Sequence, residues 1–478
     1  MVYLASLIFV LIVNGIGIYG SSCPDKQLIE ISLEKVHIPG AAIIVINATH
    51  TLYEQAFGYQ SLLPKQPIDI DKSIFALASI SKTFIAAAVM QLVEQERIDL
   101  DTDVNQYLSE PNQRIFHPDY PLHSITMRKL LSHSASTAVS TQVQYTYFQP
   151  GDTAFIESLA EMCFKYVNPN TSFWLPISPG RVTFYSNEGS TLAALVVERV
   201  AQMPYMQYVK ENILKPLGVD INKVGARIAD FLNNTDDFVK HYAYAFNSSD
   251  VEGWNQAIPS LNLTQLPGDL PNWLFIDHFG ISAYPAGLLR MSARTLSVYL
   301  RMFLNNGSDI LSPRSIAEMR AVVGSGLIPY YEDANSTETG PPPPTEFGLS
   351  WYWRTMSNGR RYIGHSGSLP GMVHLMLIDE KNSVGVIVLT NGDTNEPNGV
   401  SRGISQTLAE IHMSLFQCFE TDVVNMSTTT TPVSQCYSHH IFSNIFCSRR
   451  LRPIHYRHQQ LSDRLVKKVI KYSSSESN

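Results

Sequence analysis

Two spacings of apolar residues divide the chain. Ala41 to Asn47 and the following Leu52 to Gly58 alternate or run apolar and predict a β-hairpin. Far downstream, Met372 to Ile378 and Val384 to Leu389 form a second pair of strand-like runs around a turn at Glu380-Lys381-Asn382. Between these pairs the apolar positions recur at helical spacing. Phe84 to Gln95, Leu192 to Gln202, Tyr205 to Leu214 and Thr295 to Leu304 read as helices, the last ended by Asn305-Asn306-Gly307. An earlier run, Leu28, Ile29, Ile31, Leu33 and Val36, reads as one more amphipathic helix. Strands thus lie in the two outer parts of the chain and most helices in the middle.

The ends are different in character. Leu4 to Ile18 is almost wholly apolar, and Gly20-Ser21-Ser22 supplies small residues for cleavage, so residues 1–22 read as an export signal. The alternative is an uncleaved membrane anchor, since the stretch is barely long enough to span a bilayer and contains Asn14. Glycosylation sequons at Asn47, Asn170, Asn233, Asn247, Asn262, Asn306, Asn335 and Asn425 fit a secreted glycoprotein. Tetraproline Pro341 to Pro344 predicts a stiff connector. Asn425 to Val433 is Thr-rich, and from Ser448 onward basic residues outnumber acids, which reads as a solvated, disordered tail.

At 478 residues with ordinary apolar content the chain can bury a large core, and its net charge of -7 gives no reason to invoke nucleic acid. The sequence shows no metal-ligand cluster and implies no cofactor; His117, His123, His241 and His374 read as surface or satisfied core residues. Five cysteines are too few for a disulfide scaffold. Cys163 reads as a buried thiol, and Cys418, Cys436 and Cys447 cluster where one bridge can form in an oxidising compartment.

Three short clusters carry the chemistry. Ser79-Ile80-Ser81-Lys82 puts a hydroxyl and an amine one helical turn apart on the same face. Tyr185-Ser186-Asn187 offers a phenol and an amide, and His365-Ser366-Gly367 offers an imidazole, a hydroxyl and a glycine that permits close backbone approach. Together they provide a serine nucleophile, its base, a second proton carrier and a substrate clamp. Each has a decoy in the same order: Ser32-Leu33-Glu34-Lys35, Tyr166-Val167-Asn168 and His278-Phe279-Gly280. Local context separates the sets. Ser32 lies inside an amphipathic helix, whereas Ser79 opens the alanine-rich run Phe84 to Met90, at a helix N-terminus that stabilises an anion. Tyr185 follows a Pro179-Gly180 turn and precedes a helix, and His365 sits among strands.

Over about residues 25 to 415 the chain resembles the serine β-lactamase and penicillin-binding superfamily, nearest in pattern to class C β-lactamases, D-alanyl-D-alanine carboxypeptidases, related esterases and animal β-lactamase-like proteins. The resemblance is carried by Phe75 to Phe84, by Pro179-Gly180 with Phe184-Tyr185-Ser186-Asn187 and Lys215-Pro216-Leu217-Gly218, and by Phe347 to Trp351 with Gly364-His365-Ser366-Gly367-Ser368 and Pro370-Gly371. It departs in two places. Leu130-Leu131-Ser132-His133-Ser134-Ala135-Ser136 ends in serine where the family has glycine, and His365 stands where many β-lactamases carry lysine. The resemblance implies an α+β fold, one antiparallel sheet flanked by helices with a helical region inserted between its strands. The sheet part is expected at about residues 23–80 and 345–415, the helical part at about 81–344, and linker and tail from 416. Cutting the chain near Phe416 is therefore expected to leave folding and hydrolysis intact.

The resemblance also implies roles. Ser79 is the nucleophile, Lys82 its base, Tyr185 a proton shuttle, and Asn187 an orienter of Lys82 and substrate. The backbone N–H groups of Ser79 and Ser368 form the oxyanion hole, and His365, Ser366 and Gly367 bind the substrate. To act as a base, Lys82 must have its pKa lowered from about 10.4 by burial or nearby cations. His365 is a conditional cation at neutral pH. The expected substrates are small esters, amides or peptides, with the oligomeric state open. Two alternatives stand beside hydrolysis: a binding protein that keeps the fold, and a penicillin-binding protein with little turnover.

Overall fold

The structure is a computed structural model, and it describes residues 23–110, 113–231, 235–324, 327–329, 346–393 and 403–420. The signal expected at residues 1–22, the tetraproline, the sequons at Asn233, Asn335 and Asn425 and the chain beyond 420 lie outside the described residues. No described helix is long and apolar enough to cross a membrane.

An eight-stranded antiparallel sheet organises the described chain. Its strands are β1 (Gly40–Ile46), β2 (Thr51–Leu62), β3 (Lys65–Pro67), β4 (Glu346–Phe347), β5 (Tyr352–Thr355), β6 (Arg361–Leu369), β7 (Met372–Asp379) and β8 (Gly385–Thr390), in the order β4-β5-β6-β7-β8-β1-β2-β3. Thus β8 pairs with β1, Ala41 opposite Thr390 and Val45 opposite Val386, and joins the two outer parts of the chain. The described residues between β3 and β4 form one long, mainly helical insertion with a few short strand pairs. This is the α+β arrangement that the sequence implied.

Side-chain alternation explains why β1 reads as continuously apolar. Ala42, Ile44 and Ile46 enter the core shared with the inserted helices. Ala41, Ile43 and Val45 point to the other face, into a second core with α1 (Lys26–Lys35) and the C-terminal helix Ile404–Phe419. A strand covered on both faces needs apolar residues at every position.

Three inserted helices matter most here: α2 (Lys82–Glu94), α3 (Asn187–Ala201) and α4 (Ala293–Leu304), with the C-terminal helix as α5. From Lys82 to Leu92 every residue of α2 is buried, which is the setting of a helix apolar on all sides. Its alanines permit close packing against the Leu192 to Val197 stretch of α3 in the same core.

The C-terminal boundary differs from the expectation. α5 continues through Phe419, Phe416 is buried and stacks on Tyr362, and Cys418 is bonded to Cys23. The bridge therefore joins Cys418 to a cysteine at the far end of the chain instead of one within the terminal cluster. Cutting at Phe416 would remove a covalent tie and the last turn of a packed helix. Cys163 is a buried free thiol.

Among the sequons, Asn170, Asn247, Asn262 and Asn306 are exposed, while Asn47 is half-buried with its side-chain oxygen accepting from the backbone N–H of Thr49 and His50. His117 and His374 are satisfied core residues, bonded through Nε2 to the carbonyls of Leu175 and Ala76.

Candidate active site

The nucleophile segment is sutured into the core before it reaches the cleft. Ile74–Ala76 pairs antiparallel with Arg290–Ser292, Leu77 N–H donates to the Leu289 carbonyl, and His374 holds the Ala76 carbonyl from behind. The chain then turns through Ala78, whose φ of 46° is left-handed, and Ser79 sits in a short 3-10 turn that runs directly into α2. Fixing the backbone this firmly is what tolerates a strained alanine next to the serine.

Lys82, at the first position of α2, is fully buried, and its Nζ lies 3.1 Å from Ser79 Oγ. Two further contacts decide its chemistry: Nζ is 2.7 Å from Asn187 Oδ1 and 2.7 Å from the Ala286 carbonyl. Burial lowers its pKa to about 7, against the opposing field of Glu188. The ammonium of a lysine with that pKa exchanges readily with the neutral amine near neutral pH.

Tyr185 and Asn187 arrive together because Ser186 caps α3, accepting the Gly189 N–H at 3.0 Å. Lys82 Nζ lies 4.8 Å from the centre of the Tyr185 ring. Tyr185 as a residue is 39% exposed. Its hydroxyl end is packed, so desolvation raises the phenol, partly countered by a hydrogen bond with Ser79. Tyr185 is therefore a protonated phenol at neutral pH.

His365 lies on β6 and is buried. Its Nδ1 is 2.5 Å from the Ser366 carbonyl, an acceptor only, so Nδ1 carries the proton and Nε2 presents a lone pair. That Nε2 is buried and has no hydrogen-bond partner among the described residues. Burial, with the Lys82 charge adding to it, pushes the pKa down to about 3. The sequence reading of His365 as a conditional cation is thus corrected: it is neutral throughout the ordinary working range. Gly367 also has a packing role. A Cβ there would stand 2.6 Å from the Leu77 carbonyl, so the glycine lets β6 close against the nucleophile segment. Ser366 N–H donates to the Tyr352 hydroxyl at 2.8 Å.

Ser79, Asn187 and Ser368 line one cleft of about 400 Å³, walled by Gln144, Tyr145, Tyr147, Phe148 and Trp254. This size suits a small-molecule or short peptide ligand. The decoy set is not assembled in this way. Ser32 Oγ donates to the Leu28 carbonyl on its own helix, the role of an ordinary mid-helix serine, and Tyr166 packs in the core.

Sequence reasoning missed several neighbours. His133 accepts the Ser186 N–H at Nδ1 and packs its ring 4.3 Å from that of Tyr185. Glu188, buried at the start of α3, collects hydrogen bonds from Tyr147, Gln144 and Ser186. His133 was visible in the Leu130 to Ser136 segment, and Glu188 directly follows Asn187. Gln144, on the short helix Thr141–Tyr145, carried no signal at all, since it comes near only after folding.

The half-buried Ser79 and the buried Lys82 thus meet beside Tyr185 and the end of β6. The chain belongs to the Beta-lactamase family. Residues 26–410 match that family's sequence model, most of the described chain. Penicillin-binding protein 4* of Bacillus subtilis (strain 168) is 22% identical over 375 residues, covering 75% of this chain and 70% of that protein. Protein flp of Staphylococcus aureus (strain N315) is 22% identical over 379 residues, and the match spans 76% of this chain but only 62% of that protein's length. Among solved structures, the octameric penicillin-binding protein homologue from Pyrococcus abyssi shares the fold with a TM-score of 0.59 at 21% identity, over 80% of this chain and 76% of that one. D-amino acid amidase from Ochrobactrum anthropi SV3 shares it with a TM-score of 0.58 at 18% identity, over 82% and 99% of the two chains.

Proposed function

We propose that this chain is a secreted serine hydrolase that cleaves small esters or amides through an acyl-enzyme on Ser79. The observation that carries the proposal is the hydrogen-bond set of Lys82. Asn187 Oδ1 and the Ala286 carbonyl only accept, so each takes one N–H of the amine. A neutral lysine has two N–H bonds and one lone pair, and the lone pair is left for the Ser79 hydroxyl 3.1 Å away. Whenever Lys82 is neutral, it is oriented as the base for Ser79.

The steps follow from that geometry. Ser79 Oγ attacks the substrate carbonyl carbon and passes its proton to Lys82 Nζ. The tetrahedral oxyanion is held by the N–H groups of Ser79 and Ser368, and loss of one such donor typically costs about 100- to 1000-fold in rate. Tyr185, protonated because its phenol pKa is raised, gives its proton to the leaving alkoxide or amine and is resupplied from Lys82. Water then attacks the acyl-enzyme by the reverse proton path, releasing the acid and restoring Ser79.

Similarity to a D-amino acid amidase supports amides among the substrates. The Cys23–Cys418 bridge supports a route through an oxidising compartment. The test is labelling by a fluorophosphonate, with the adduct located by peptide mass. Labelling on Ser79 that is abolished by Ser79→Ala and kept in Ser32→Ala is the expected result. Equal labelling of the Ser79→Ala protein would overturn the assignment, and a folded protein with no labelling would favour a binding role.

A further inference from the structure

Glu188 is a buried carboxylate that the steps above do not use. It sits in the first turn of α3, one residue after Asn187, with no exposed surface. Three donors converge on it. Tyr147 Oη lies 3.0 Å from Oε1, Gln144 Nε2 lies 3.0 Å from the same oxygen, and Ser186 Oγ lies 3.1 Å from Oε2. Ser186 Oγ already accepts from Thr137 Oγ1 and from the Gly189 N–H, so its own proton is the one shared with Glu188. A group that receives three donors and gives none is an ionised carboxylate.

From there a single directed path leads to the base. Glu188 Oε1 accepts from Gln144 Nε2, which turns Gln144 Oε1 the other way, to accept from Asn187 Nδ2 at 3.2 Å. That in turn fixes Asn187 Oδ1 towards Lys82 Nζ at 2.7 Å. Either amide could otherwise be flipped, and a flipped Asn187 would present an NH2 to Lys82, drawing the amine lone pair away from Ser79. The carboxylate removes that freedom at both amides, because its only compatible neighbour is a donor.

We propose that Glu188 is a positioning residue for Ser79 attack, acting through Gln144 and Asn187 to fix the polarity of the Lys82 hydrogen bonds and holding Lys82 in its field. The inference rests on the reading of Lys82 as the base. Around Lys82 the titratable groups are Glu188 on α3, Tyr185 just before it, His365 on β6 and His133 in the preceding loop. His365 and His133 are kept neutral by burial and Tyr185 is kept protonated. Burial raises the Glu188 carboxyl too, against the hydrogen bonds from Tyr147, Ser186 and Gln144 that lower it, and those three donors mark it as the charged member of this set. Tyr147 and Cys163, which also face Glu188, are both raised and uncharged.

The test is the rate of Ser79 labelling by a fluorophosphonate across about pH 5 to 9, in the full chain and in two variants. Glu188→Gln removes the charge and introduces an NH2 that faces three donors. The labelling rate should fall about tenfold or more at its plateau, and the acid limb should move down by about one pH unit as Lys82 loses a neighbouring negative charge. Gln144→Met cuts the path but leaves the carboxylate, so the plateau should fall comparably while the acid limb stays in place. Combining the two should cost little more in plateau rate than Glu188→Gln alone.

A folded Glu188→Gln protein with the wild-type acid limb and plateau overturns the inference. If that variant does not fold, Gln144→Met decides alone, and a wild-type plateau there overturns the path. If the unmodified chain shows no Ser79-dependent labelling, or no acid limb near neutral pH, it is the reading of Lys82 as base that fails.

Discussion

Cys418, in the last turn of α5, is bonded to Cys23, which precedes α1, across a separation of 395 residues. Both helices cover the same face of the sheet, and the bridge closes that layer at its edge. Residue Glu420, just beyond, forms an ion pair with Arg360. The first of the chain's two compact units runs to Thr421.

This relation sets two truncation outcomes apart. Removing residues after Thr421 should leave the melting temperature nearly unchanged, because the described core is complete. Removing residues after Phe416, or changing Cys418→Ser, should lower stability by about 2–5 kcal/mol, as loss of a native bridge typically does. Melting the three proteins with and without a reductant checks this. Equal melting temperatures throughout would show that the bridge does not tie the layer.

Ser136 is the second target. It stands where the family resemblance has glycine, and its φ of 64° is the left-handed conformation that glycine adopts without penalty. The serine bears the strain of that conformation. Its Oγ is also buried and without a hydrogen-bond partner. Relief of both costs should outweigh the greater freedom glycine has when unfolded, so Ser136→Gly should raise stability by about 1 kcal/mol. A denaturant titration measures it, and a lower midpoint would show that the backbone there is not strained.

The pKa of Lys82, lowered to about 7, sets a pH dependence with a definite sign. Attack needs the neutral amine, so the labelling rate should rise with pH and level off above about pH 8. Stability should follow the same direction. Between about pH 7 and 10.5 the unfolded chain holds a proton on this lysine that the folded chain does not, so folding becomes more favourable as pH rises through that window. Lys82→Met should remove this component of the pH–stability curve and abolish labelling. A pH-rate profile of the unmodified chain that is flat between about pH 5 and 9 would contradict a lysine base.

What could be read in advance was local. The strands of β1 and β8 announce themselves because two-sided burial demands unbroken apolar runs. Ser79 and Lys82 are close because one helical turn separates them. Asn187 and Tyr185 sit at a helix start that Leu192 to Val197 marks clearly. The remaining features depend on pairs distant in sequence. Nothing near Cys418 points to Cys23, and the cluster with Cys436 and Cys447 suggested a nearer partner. Gln144 belongs to a helix of only five residues, Thr141–Tyr145, too short to show a period, and only the fold brings it between Glu188 and Asn187. Glu188 drew no reading from the sequence, because an acid in the first turn of a helix is common, favoured by the helix dipole. His365 shows the opposite limit: its position was legible, but its charge depends on burial.

That charge is expected to set a substrate preference. With its pKa pushed down to about 3, His365 offers a neutral ring where many β-lactamases present a lysine cation. Nδ1 is committed to the Ser366 carbonyl, leaving Nε2 as an acceptor, which repels a carboxylate. Substrates without an anionic group at this position, such as short-chain aryl esters and amino-acid amides, should be favoured over cephalosporins. Lowering the pH from about 7 to 5 should not restore cephalosporin hydrolysis, because the imidazole stays neutral across that interval. His365→Lys should raise the ratio of cephalosporin to ester kcat/KM by about tenfold, the value of a single favourable interaction of about 1.4 kcal/mol. The measurement is both rates, side by side, at the two pH values in both proteins. A ratio that climbs in the unmodified chain with a midpoint near the ordinary histidine pKa of about 6.5 would show that His365 is solvated and charged after all.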